Sequence, residues 1–432
     1  MNSYPGGINM ASADKSKALH ALIIGGSMAG LFASVLLRRH NYRVTVFERI
    51  GAELQGRGAG IVTHDELFRA LTTAGIDCKP ADLGVPVEGR RVFARDGSIV
   101  LESQIPQILT SWGKLFGLLR KRLPAECYQK RNLVRVEEGD TEVTAHFEDG
   151  SKESGDILIG ADGIYSTVRS QLLPDSKPEY AGYIAWRGLV DEMDLSESTR
   201  VALFDHFSFG LPSGEQFLGY PVAGSSEATG HGRRRYNFVW YRPASRTDLG
   251  NWFSVKTSET APPLSIAPNM VPPQMIADLR LDATRLLAPQ FAEVVEKAPQ
   301  PFVQAIQDLQ SSRMVVGQRT IIIGDAAFVA RPHVGMGVTK AAADACSLVA
   351  ALEGHPGNLD AALVKFERER LAYGGAIVKH ARRLGAYMQA QLSSDDERAT
   401  AEKHRRPEAI LAETAIAPDA KFTGRHLELS NS

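Results

Sequence analysis

The order of apolar and polar positions near the N-terminus predicts a strand, a helix and a second strand. Residues 18–24 form a short apolar run that ends in glycines, and residues 28–40 carry apolar positions at helical spacing. Residues 43–48 are rich in β-branched and aromatic side chains, which favours a strand. A strand, a glycine turn, a helix and a strand form a βαβ unit, which predicts parallel strands and a right-handed crossover.

The pattern then changes to hairpins. An Asp-Gly pair at 96–97 and another at 149–150 each interrupt alternating apolar runs, which is typical of tight turns between antiparallel strands. A helix is predicted over residues 112–123. The apolar residues 156–160 end in glycine and predict a further buried parallel strand.

The middle of the chain favours an antiparallel sheet in a second domain. Four runs predict its strands: 180–187, 201–211, 216–222 and 236–241. Residues 246–275 are rich in Pro, Ser and Thr, and predict a loop with little order of its own.

Parallel-strand character returns in the last third. Residues 320–323 form a short β-branched run, and two long helical patterns follow at about 335–353 and 358–390. Residues 393–432 are polar and charged without a clear apolar face, so a surface appendage is predicted there. Residues 1–17 predict a loose tail before the first strand.

Composition narrows the class of protein. The 432 residues are 44% hydrophobic and 23% charged, which is ordinary for a globular chain. Lys plus Arg number 49 against 50 Asp plus Glu, so the basic excess typical of nucleic-acid binding is missing and no such partner is predicted. We expect no membrane span and no secretory leader. Three scattered cysteines favour a reducing, cytoplasmic location.

The first motif with chemical content is the glycine turn after the first strand. Gly25, Gly26 and Gly30 surround Ser27 and open the first helix, as in dinucleotide-binding folds where backbone N–H groups approach a pyrophosphate. Glu48 ends the second strand about 20 residues on, where an acid can accept hydrogen bonds from a ribose. Ser27 stands where the middle glycine of the common pattern would be.

The same stretch permits a different interpretation. Gly25-x-Ser27-x-Ala29 is close to a nucleophile elbow, and Asp325 and His333 follow in the order that a serine hydrolase requires. An elbow on the first strand is unusual, so dinucleotide binding is the favoured hypothesis.

Two further motifs follow parallel strands. Gly160-Ala161-Asp162-Gly163 precedes Ser166 and Arg169, and Gly324-Asp325 precedes Gly335-Met336-Gly337. A buried strand would deliver Asp325 to the carboxyl edge of the sheet, where it can accept hydrogen bonds from sugar hydroxyls. The Gly-Met-Gly sequence would open a helix whose N–H groups suit negative charge.

In family order across residues 20–345, these three motifs resemble those of the single-component flavin monooxygenases of the p-hydroxybenzoate hydroxylase type. Residues 56–61, 180–188 and 331–337 look most like the 2,6-dihydroxypyridine 3-hydroxylase-like members of that family. The resemblance implies an α/β fold: a Rossmann-like FAD-binding domain with an inserted antiparallel-sheet substrate domain and C-terminal helices.

The resemblance also implies a reaction. NAD(P)H would reduce FAD, the reduced flavin would react with O2 to give a C4a-hydroperoxide, and this would hydroxylate an electron-rich aromatic ring that already carries a hydroxyl group. The expected substrate is an N-heteroaromatic such as a dihydroxypyridine, and a phenolic acid of the salicylate or hydroxybenzoate type is the alternative. A flavin-binding protein without turnover is a third hypothesis. No metal is predicted.

Matching positions imply a set of cofactor-binding residues. They are Gly25, Gly26, Ser27, Gly30, Glu48 and Arg49 at the ADP half of FAD; Arg57, Gly58 and Gly60 along the pyrophosphate and ribityl path; Asp162 for FAD and NAD(P)H; Asp325 at the ribityl chain; and Pro332, Gly335, Met336 and Gly337 against the isoalloxazine. Many relatives carry an arginine near position 117, where this chain has glycine. Arg120, one turn later, is the candidate substitute.

Three side chains are candidates for contact with the substrate. His333 could accept a substrate proton or orient a ring hydroxyl. Arg187 could hold an anionic substrate or contact flavin, and Tyr220 could form the floor of the pocket. Each also has a plain structural explanation: a capping histidine, a salt bridge and a packed tyrosine.

The predicted organisation is discontinuous. Residues 18–85, 105–178 and 310–390 would form the FAD-binding domain, 86–104 and 179–309 the substrate-binding sheet, and 391–432 the appendage. The expected partners are a small aromatic substrate and O2, and a homodimer is left open.

Overall fold

The computed structural model describes residues 18–50, 60–224, 227–253, 265–266, 270–389, 392 and 394–418. Within these ranges the strands are β1 (His20–Ile24), β2 (Arg43–Glu48), β3 (Gly60–Val62), β4 (Val85–Val87), β5 (Gly89–Phe93), β6 (Ile99–Ser103), β7 (Gln107–Ser111), β8 (Tyr128–Lys130), β9 (Leu133–Glu138), β10 (Val143–Phe147), β11 (Lys152–Gly155), β12 (Ile157–Gly160), β13 (Glu179–Asp191), β14 (His206–Gly210), β15 (Gln216–Val222), β16 (Arg235–Pro243), β17 (Ser265–Ile266), β18 (Phe302–Gln310), β19 (Thr320–Ile322) and β20 (Phe328–Val329).

The helices in the same ranges are α1 (Met28–Arg39), α2 (Asp65–Thr73), α3 (Pro80–Leu83), α4 (Trp112–Arg120), α5 (Thr167–Leu172), α6 (Glu197–Leu203), α7 (Arg246–Phe253), α8 (Pro273–Leu286), α9 (Pro289–Lys297), α10 (Gly337–Glu353), α11 (Leu359–Leu384), α12 (Asp395–His404) and α13 (Pro407–Glu413). None of them is long and apolar enough to cross a membrane.

A five-stranded parallel sheet runs in the order β19-β12-β1-β2-β8. Every residue of β1 and β12 is buried: α1 packs on one face of the sheet, with α10 packed against α1, and the small antiparallel sheet β9–β11 lies on the other face. This confirms the predicted βαβ unit and the predicted parallel strands near residues 157 and 320. Their carboxyl ends place the three motifs at one edge of the sheet.

The second sheet is larger and mostly antiparallel, in the order β17-β18-β13-β16-β15-β14-β5-β6, with β20 joined to β18. Alternation along each strand gives it two different faces. Trp186, Phe238 and Trp240 pack on α8 and α9 on one face. The residues that alternate with them along the strands point to the other face. This face therefore presents Arg187 and Tyr241 toward the edge of the parallel sheet where the motifs lie, which we call the motif edge.

The predicted hairpins are confirmed. β5 and β6 enclose the turn at Gly97, and β10 and β11 enclose the turn at Gly150. Both glycines have positive φ, at 90° and 81°, which explains why Asp-Gly occurs at these two positions.

Two predictions in the middle of the chain were wrong. The run at 201–211 is not one strand, because α6 ends at Leu203 and only β14 is extended. Ser196 caps α6, and Glu293 from α9 accepts hydrogen bonds from the Ser196 backbone and hydroxyl, at 2.6 and 2.7 Å. Residues 246–275 are not only loop, since α7 begins after a reciprocal Ser245–Asp248 cap and α8 begins at Pro273.

The C-terminal stretch also differs from its prediction. Within the described residues 394–418, α12 and α13 bury Ala401, His404, Ile410 and Leu411, so this part has a core face. Few apolar residues create that face, which is why the hydropathy pattern did not reveal it. The domain boundaries stay a prediction.

Candidate functional site

The glycine turn after β1 is shaped by close contacts. Gly25 has φ +104°, which favours glycine, and a side chain there would collide with the Ala161 carbonyl. A side chain at Gly26 would meet the Tyr128 ring, and one at Gly30 would meet the Gly25 carbonyl oxygen. The three glycines therefore let α1 begin directly against the sheet, with its N–H groups facing the edge.

Glu48 and Ser27 lie beside this turn. The Glu48 carboxylate is buried and accepts hydrogen bonds from the backbone N–H groups of Gly26 at 2.8 Å and Ile50 at 3.0 Å. Ser27 is the N-cap of α1, but its hydroxyl makes no capping hydrogen bond. Both residues line a cavity of about 230 Å³, together with Arg49, Asp162 and Gly25. The structure thus brings the predicted ADP-half residues together.

The second motif joins the first at the same cavity. Asp162 Oδ2 accepts hydrogen bonds from the Thr167 and Val168 backbone N–H groups at 2.7 and 3.2 Å, while its Oδ1 is buried without a partner. Burial raises the pKa of this carboxyl. The buried Arg169 donates to the Ala326 carbonyl at 2.9 Å, which ties the second motif to the third.

Asp325 follows β19, as its motif predicts, and lines a second cavity of about 220 Å³. Its Oδ1 lies 4.0 Å from Nζ of Lys340, a fully buried lysine in the first turn of α10. Lys340 Nζ is also 3.9 Å from Asp344 Oδ2 and makes no hydrogen bond within the described chain. The sequence offered no signal for Lys340, because a lysine at a helix start is ordinarily solvated.

The second cavity gathers most of the remaining predicted residues. They are Gly60, Arg187, Tyr220, Asp325, Pro332, His333, Gly335, Met336 and Gly337. The Tyr220 ring lies so close to Gly60 that any side chain at Gly60 would collide with it. Gly335 has φ +64°, which turns the chain from Pro332–Val334 into α10. We call this space the ring cavity.

Two arginines line the ring cavity: Arg331 pairs with Asp308 at 2.7 Å, whereas Arg187 has no such partner among the described residues. In the described part of the chain no acidic side chain lies within 4 Å of its guanidinium, and its buried Nε has no hydrogen-bond partner. The neighbouring Tyr220 and Tyr241 are buried, and burial raises the pKa of both phenols, to about 12 for Tyr241. At neutral pH the cavity therefore combines protonated tyrosines with one unpaired cation.

His333 is fixed by two buried tyrosines, Tyr183 and Tyr241. Its Nε2 lies 2.8 Å from the Tyr183 hydroxyl, and its ring packs 4.4 Å from the Tyr241 ring, centroid to centroid. Burial, followed by the positive charges of Arg331 and Arg187, lowers the pKa of His333 to about 3. The imidazole is consequently neutral at pH 7, and its buried Nδ1 has no partner among the described residues.

The remaining predicted residues lie elsewhere. Arg120 lines neither cavity; it donates to the Leu123 carbonyl at 2.9 Å, and its guanidinium covers the Tyr128 ring. Arg57 and Gly58 lie outside the described residues.

The hydrolase hypothesis needs Ser27 beside a histidine, and the structure separates them. Ser27 lines the first cavity, whereas His333 lines the ring cavity and its Nε2 is engaged by Tyr183. Within the described ranges no histidine hydrogen-bonds to the Ser27 hydroxyl. In the described chain Ser27 therefore lacks the histidine partner that nucleophilic catalysis would need.

Comparisons with known proteins agree with this geometry. The FAD binding domain family matches residues 18–214, and a family described as FAD binding domain-like matches residues 180–308. The 2,6-dihydroxypyridine 3-monooxygenase of Paenarthrobacter nicotinovorans is 31% identical over 370 residues, covering 85% of this chain and 91% of that protein. The salicylate hydroxylase of Pseudomonas putida is 27% identical over 349 residues, covering 77% and 76%.

A solved structure is similar over nearly the whole length. The 2,6-dihydroxypyridine-3-hydroxylase of Arthrobacter nicotinovorans superposes with a TM-score of 0.80 at 29% identity, covering 88% of this chain and 94% of that one. A glycine turn at the edge of a parallel sheet, closed by a second sheet, places the protein in the class of FAD-binding enzymes. The chain belongs to the FAD-dependent aromatic monooxygenase family, as its three motifs predict.

The residues at the two cavities fit FAD. The N–H groups at the start of α1 and the uncapped Ser27 hydroxyl suit a pyrophosphate, and Glu48 suits ribose hydroxyls. Two buried polar atoms near the motif edge, Asp162 Oδ1 and Lys340 Nζ, have no hydrogen-bond partner within the described chain. Such atoms are the ones a polar cofactor would satisfy.

Proposed function

We propose that this enzyme uses NAD(P)H and O2 to hydroxylate an aromatic ring that already carries a hydroxyl group, and that the ring binds in the ring cavity as an anion. A dihydroxypyridine or a related N-heteroaromatic is the favoured substrate. The observation that carries this proposal is the unpaired cation of Arg187 among aromatic walls. Support also comes from the 31%-identical relative, whose name is that of a dihydroxypyridine monooxygenase.

Arg187 would do two things for such a ring. Its charge would pair with a phenolate-type oxygen, in a charge-assisted hydrogen bond. A nearby cation also lowers the pKa of a hydroxyl group, so the bound ring would lose its proton and gain electron density. An electron-rich ring carbon is the one that accepts oxygen most readily. Tyr220, Val239 and Tyr241 would hold the ring by its faces and edge and keep water away.

His333 suits orientation better than proton transfer. A histidine whose pKa is about 3 holds a proton poorly at neutral pH, so it is a weak base in the ring cavity. Its Nε2 is fixed by Tyr183, which leaves Nδ1 as the atom that could meet a ring hydroxyl or ring nitrogen. We propose that this single hydrogen bond sets which ring carbon faces the cofactor.

The cofactor would supply the redox chemistry, by accepting a hydride from NAD(P)H and activating O2. We propose that the residues of the first cavity hold its ADP half, that Asp325 binds its ribityl hydroxyls and that the Pro332–Gly337 segment packs on its ring system. Lys340, buried next to Asp325, would add positive charge to this region. A contact from Arg120 stays a prediction.

A phenolic acid is the second candidate substrate. Arg187 would pair with a carboxylate as readily as with a phenolate, and a salicylate hydroxylase is among the relatives. Both kinds of ring offer Arg187 an anionic oxygen, and a direct substrate screen distinguishes them.

The test is a screen of hydroxypyridines, hydroxyquinolines, salicylate and hydroxybenzoates with the purified, FAD-loaded enzyme. We expect at least one ring to accelerate NADH or NADPH oxidation and to gain one oxygen atom by mass. A protein that cannot be loaded with FAD would contradict the cofactor assignment. A loaded enzyme that oxidises NAD(P)H without any ring gaining oxygen would contradict the proposed reaction.

A further inference from the structure

A buried arginine outside the three motifs holds the last described segment of the chain. Arg90, in β5, is fully buried, and its guanidinium donates to the backbone carbonyls of Leu411 at 2.7 Å and Thr414 at 2.6 Å. It also donates to the Gln107 side-chain oxygen at 2.5 Å. Within the described chain no acid forms an ion pair with it. Its charge is therefore compensated mainly by main-chain oxygens of the C-terminal segment.

Two more hydrogen bonds hold the same segment. The Gln107 side chain donates to the Ala415 carbonyl at 3.0 Å, and the Ala415 N–H donates to the His333 carbonyl at 2.6 Å. Ala415 has φ +55°, a left-handed conformation that L-residues other than asparagine and aspartate rarely adopt. A residue kept in this conformation is fixed by its surroundings and not by its own preference.

The held segment forms part of the ring cavity. Thr414 and Ala415 line it together with Arg187, Tyr220 and His333. The Ala415 methyl group faces Gly335, where an added side-chain carbon would come within 3.2 Å of it. We call residues 410–415 the C-terminal wall.

The C-terminal wall has no covalent link to the strands around it. It comprises the end of α13 and the two residues after it, and it follows α11 and the polar helix α12 along the chain. Its position therefore depends on Arg90, on Gln107 and on the burial of Ile410 and Leu411. None of these anchoring side chains belongs to the residues proposed to hold the cofactor.

We infer that Thr414 and Ala415 determine which rings fit the ring cavity, and that Arg90 is the positioning residue that keeps them there. This inference rests on the proposed function, in that the cavity receives the substrate ring. A wall that loosens would admit water and let the ring move. Reduced cofactor would then pass its electrons to O2 without oxygen transfer, and hydrogen peroxide would be released in place of hydroxylated product.

The first experiment tests the anchor. We expect Arg90→Met to retain FAD, to be cleaved by trypsin within residues 394–418 at least ten times faster than the wild type, and to release a larger share of its electrons as hydrogen peroxide. Arg91→Met is the matched control, because Arg91 is the next residue of β5 and pairs with Glu102 near the surface. If Arg90→Met does not fold, Gln107→Leu removes the second anchor and should show the same changes more weakly.

The second experiment tests selectivity. Ala415→Gly removes the wall methyl group and suits the positive φ, so the fold should persist. We expect the kcat/KM ratio of a bicyclic hydroxyquinoline to a hydroxypyridine to rise at least ten-fold. Thr414→Val keeps the shape but loses the hydroxyl group, and should alter KM more than kcat.

The outcomes separate the two proposals. Equal cleavage rates and equal peroxide yields in Arg90→Met and Arg91→Met, or an unchanged ring ratio in Ala415→Gly, would overturn the inference. If the wild type hydroxylates no ring, the proposed function fails. Ring binding is then measured from changes in the FAD absorption spectrum, and the cleavage rates still decide whether Arg90 holds the wall.

Discussion

Arg187 differs from Arg242, another arginine of its sheet, in what surrounds it. Arg242, on the helix-covered face, pairs with Glu215 at 3.1 Å and Asp282 at 2.8 Å. Arg187 is one strand away and on the opposite face, and in the described chain it has no acidic partner within 4 Å. A cation without a partner in a partly buried site raises the free energy of the ligand-free protein. An anionic ligand would pair with this cation and lower that free energy.

Replacement of Arg187 should weaken substrate binding more than cofactor binding. Loss of a charge-assisted hydrogen bond costs about 1.5–3 kcal/mol, so we expect Arg187→Met to raise KM roughly 10- to 100-fold. FAD content should stay at the wild-type level. The KM of Arg187→Lys should lie between those of the wild type and Arg187→Met. The control is Arg285→Met, at an exposed position on α8. An unchanged KM in Arg187→Met would show that the cation does not contact the substrate.

His333 should make the fold sensitive to acid. Its pKa is about 3 in the folded chain and about 6.5 when unfolded, so between these values only the unfolded chain binds the proton. Stability is therefore fully present above pH 6.5 and falls as the pH drops toward 3, by about 1.4 kcal/mol per pH unit for this group.

We expect the His333→Gln protein to lose less stability than the wild type between pH 6.5 and pH 4. The measurement is the urea midpoint at a series of pH values. Parallel curves for the two proteins would mean that His333 is not the neutral, buried group described above.

At the scale of elements, the turn between β1 and α1 depends on close backbone contact. A side chain at Gly30 would collide with the Gly25 carbonyl oxygen, which no rotamer change can relieve. Gly117, in the middle of α4, has no atom within 4 Å of the place where a side chain would begin. The two glycines thus give opposite expectations for the same substitution.

We expect Gly30→Ala to abolish FAD binding and to destabilise the fold by about 1–3 kcal/mol. Gly117→Ala should stabilise it by about 0.5–1 kcal/mol, because alanine loses less backbone entropy in a helix. FAD content and denaturant unfolding measure both effects. Retention of FAD by Gly30→Ala would contradict the close packing of the turn.

The elements that the sequence predicted correctly are those with local signals. Alternation and Asp-Gly pairs indicate the hairpins, and the glycine turn indicates the βαβ unit. The misses have long-range causes: α6 is capped partly by Glu293, about 100 residues away, and the C-terminal wall is held by Arg90 through carbonyls that no pattern reveals. In the site, motif residues were identifiable, whereas Tyr183, Lys340 and Thr414 enter it only through packing and strand register.

At the scale of the whole molecule, a buried charge network joins the separate pieces. Asp344 in α10 accepts hydrogen bonds from the Gly324 N–H at 3.0 Å and from Arg370 of α11 at 2.8 Å, and it lies 3.9 Å from Lys340. All three side chains are at most 5% exposed. The network connects the third motif to both long C-terminal helices.

We expect Asp344→Asn to destabilise the fold by about 3–5 kcal/mol, because it removes the carboxylate that lies within 4 Å of both buried cations, Lys340 and Arg370. Glu369→Gln, which breaks a more exposed pair with Lys365 on α11, should cost less than about 1 kcal/mol. Urea unfolding of both variants provides the comparison. Equal effects would show that the network contributes no more than a surface ion pair.

Arg90 binds main-chain oxygens, which every kind of amino acid provides. Substitutions at 414 and 415 can therefore accumulate without removing the groups that the arginine recognises. Arg90 thus fixes the backbone of this segment independently of its side chains. Natural or laboratory selection can therefore change substrate preference at these two positions while the residues proposed to hold the cofactor stay the same. A library with Ser, Ala and Val at position 414, and Gly, Ala and Asn at position 415, should yield mostly folded, yellow proteins that differ in the rings they accept.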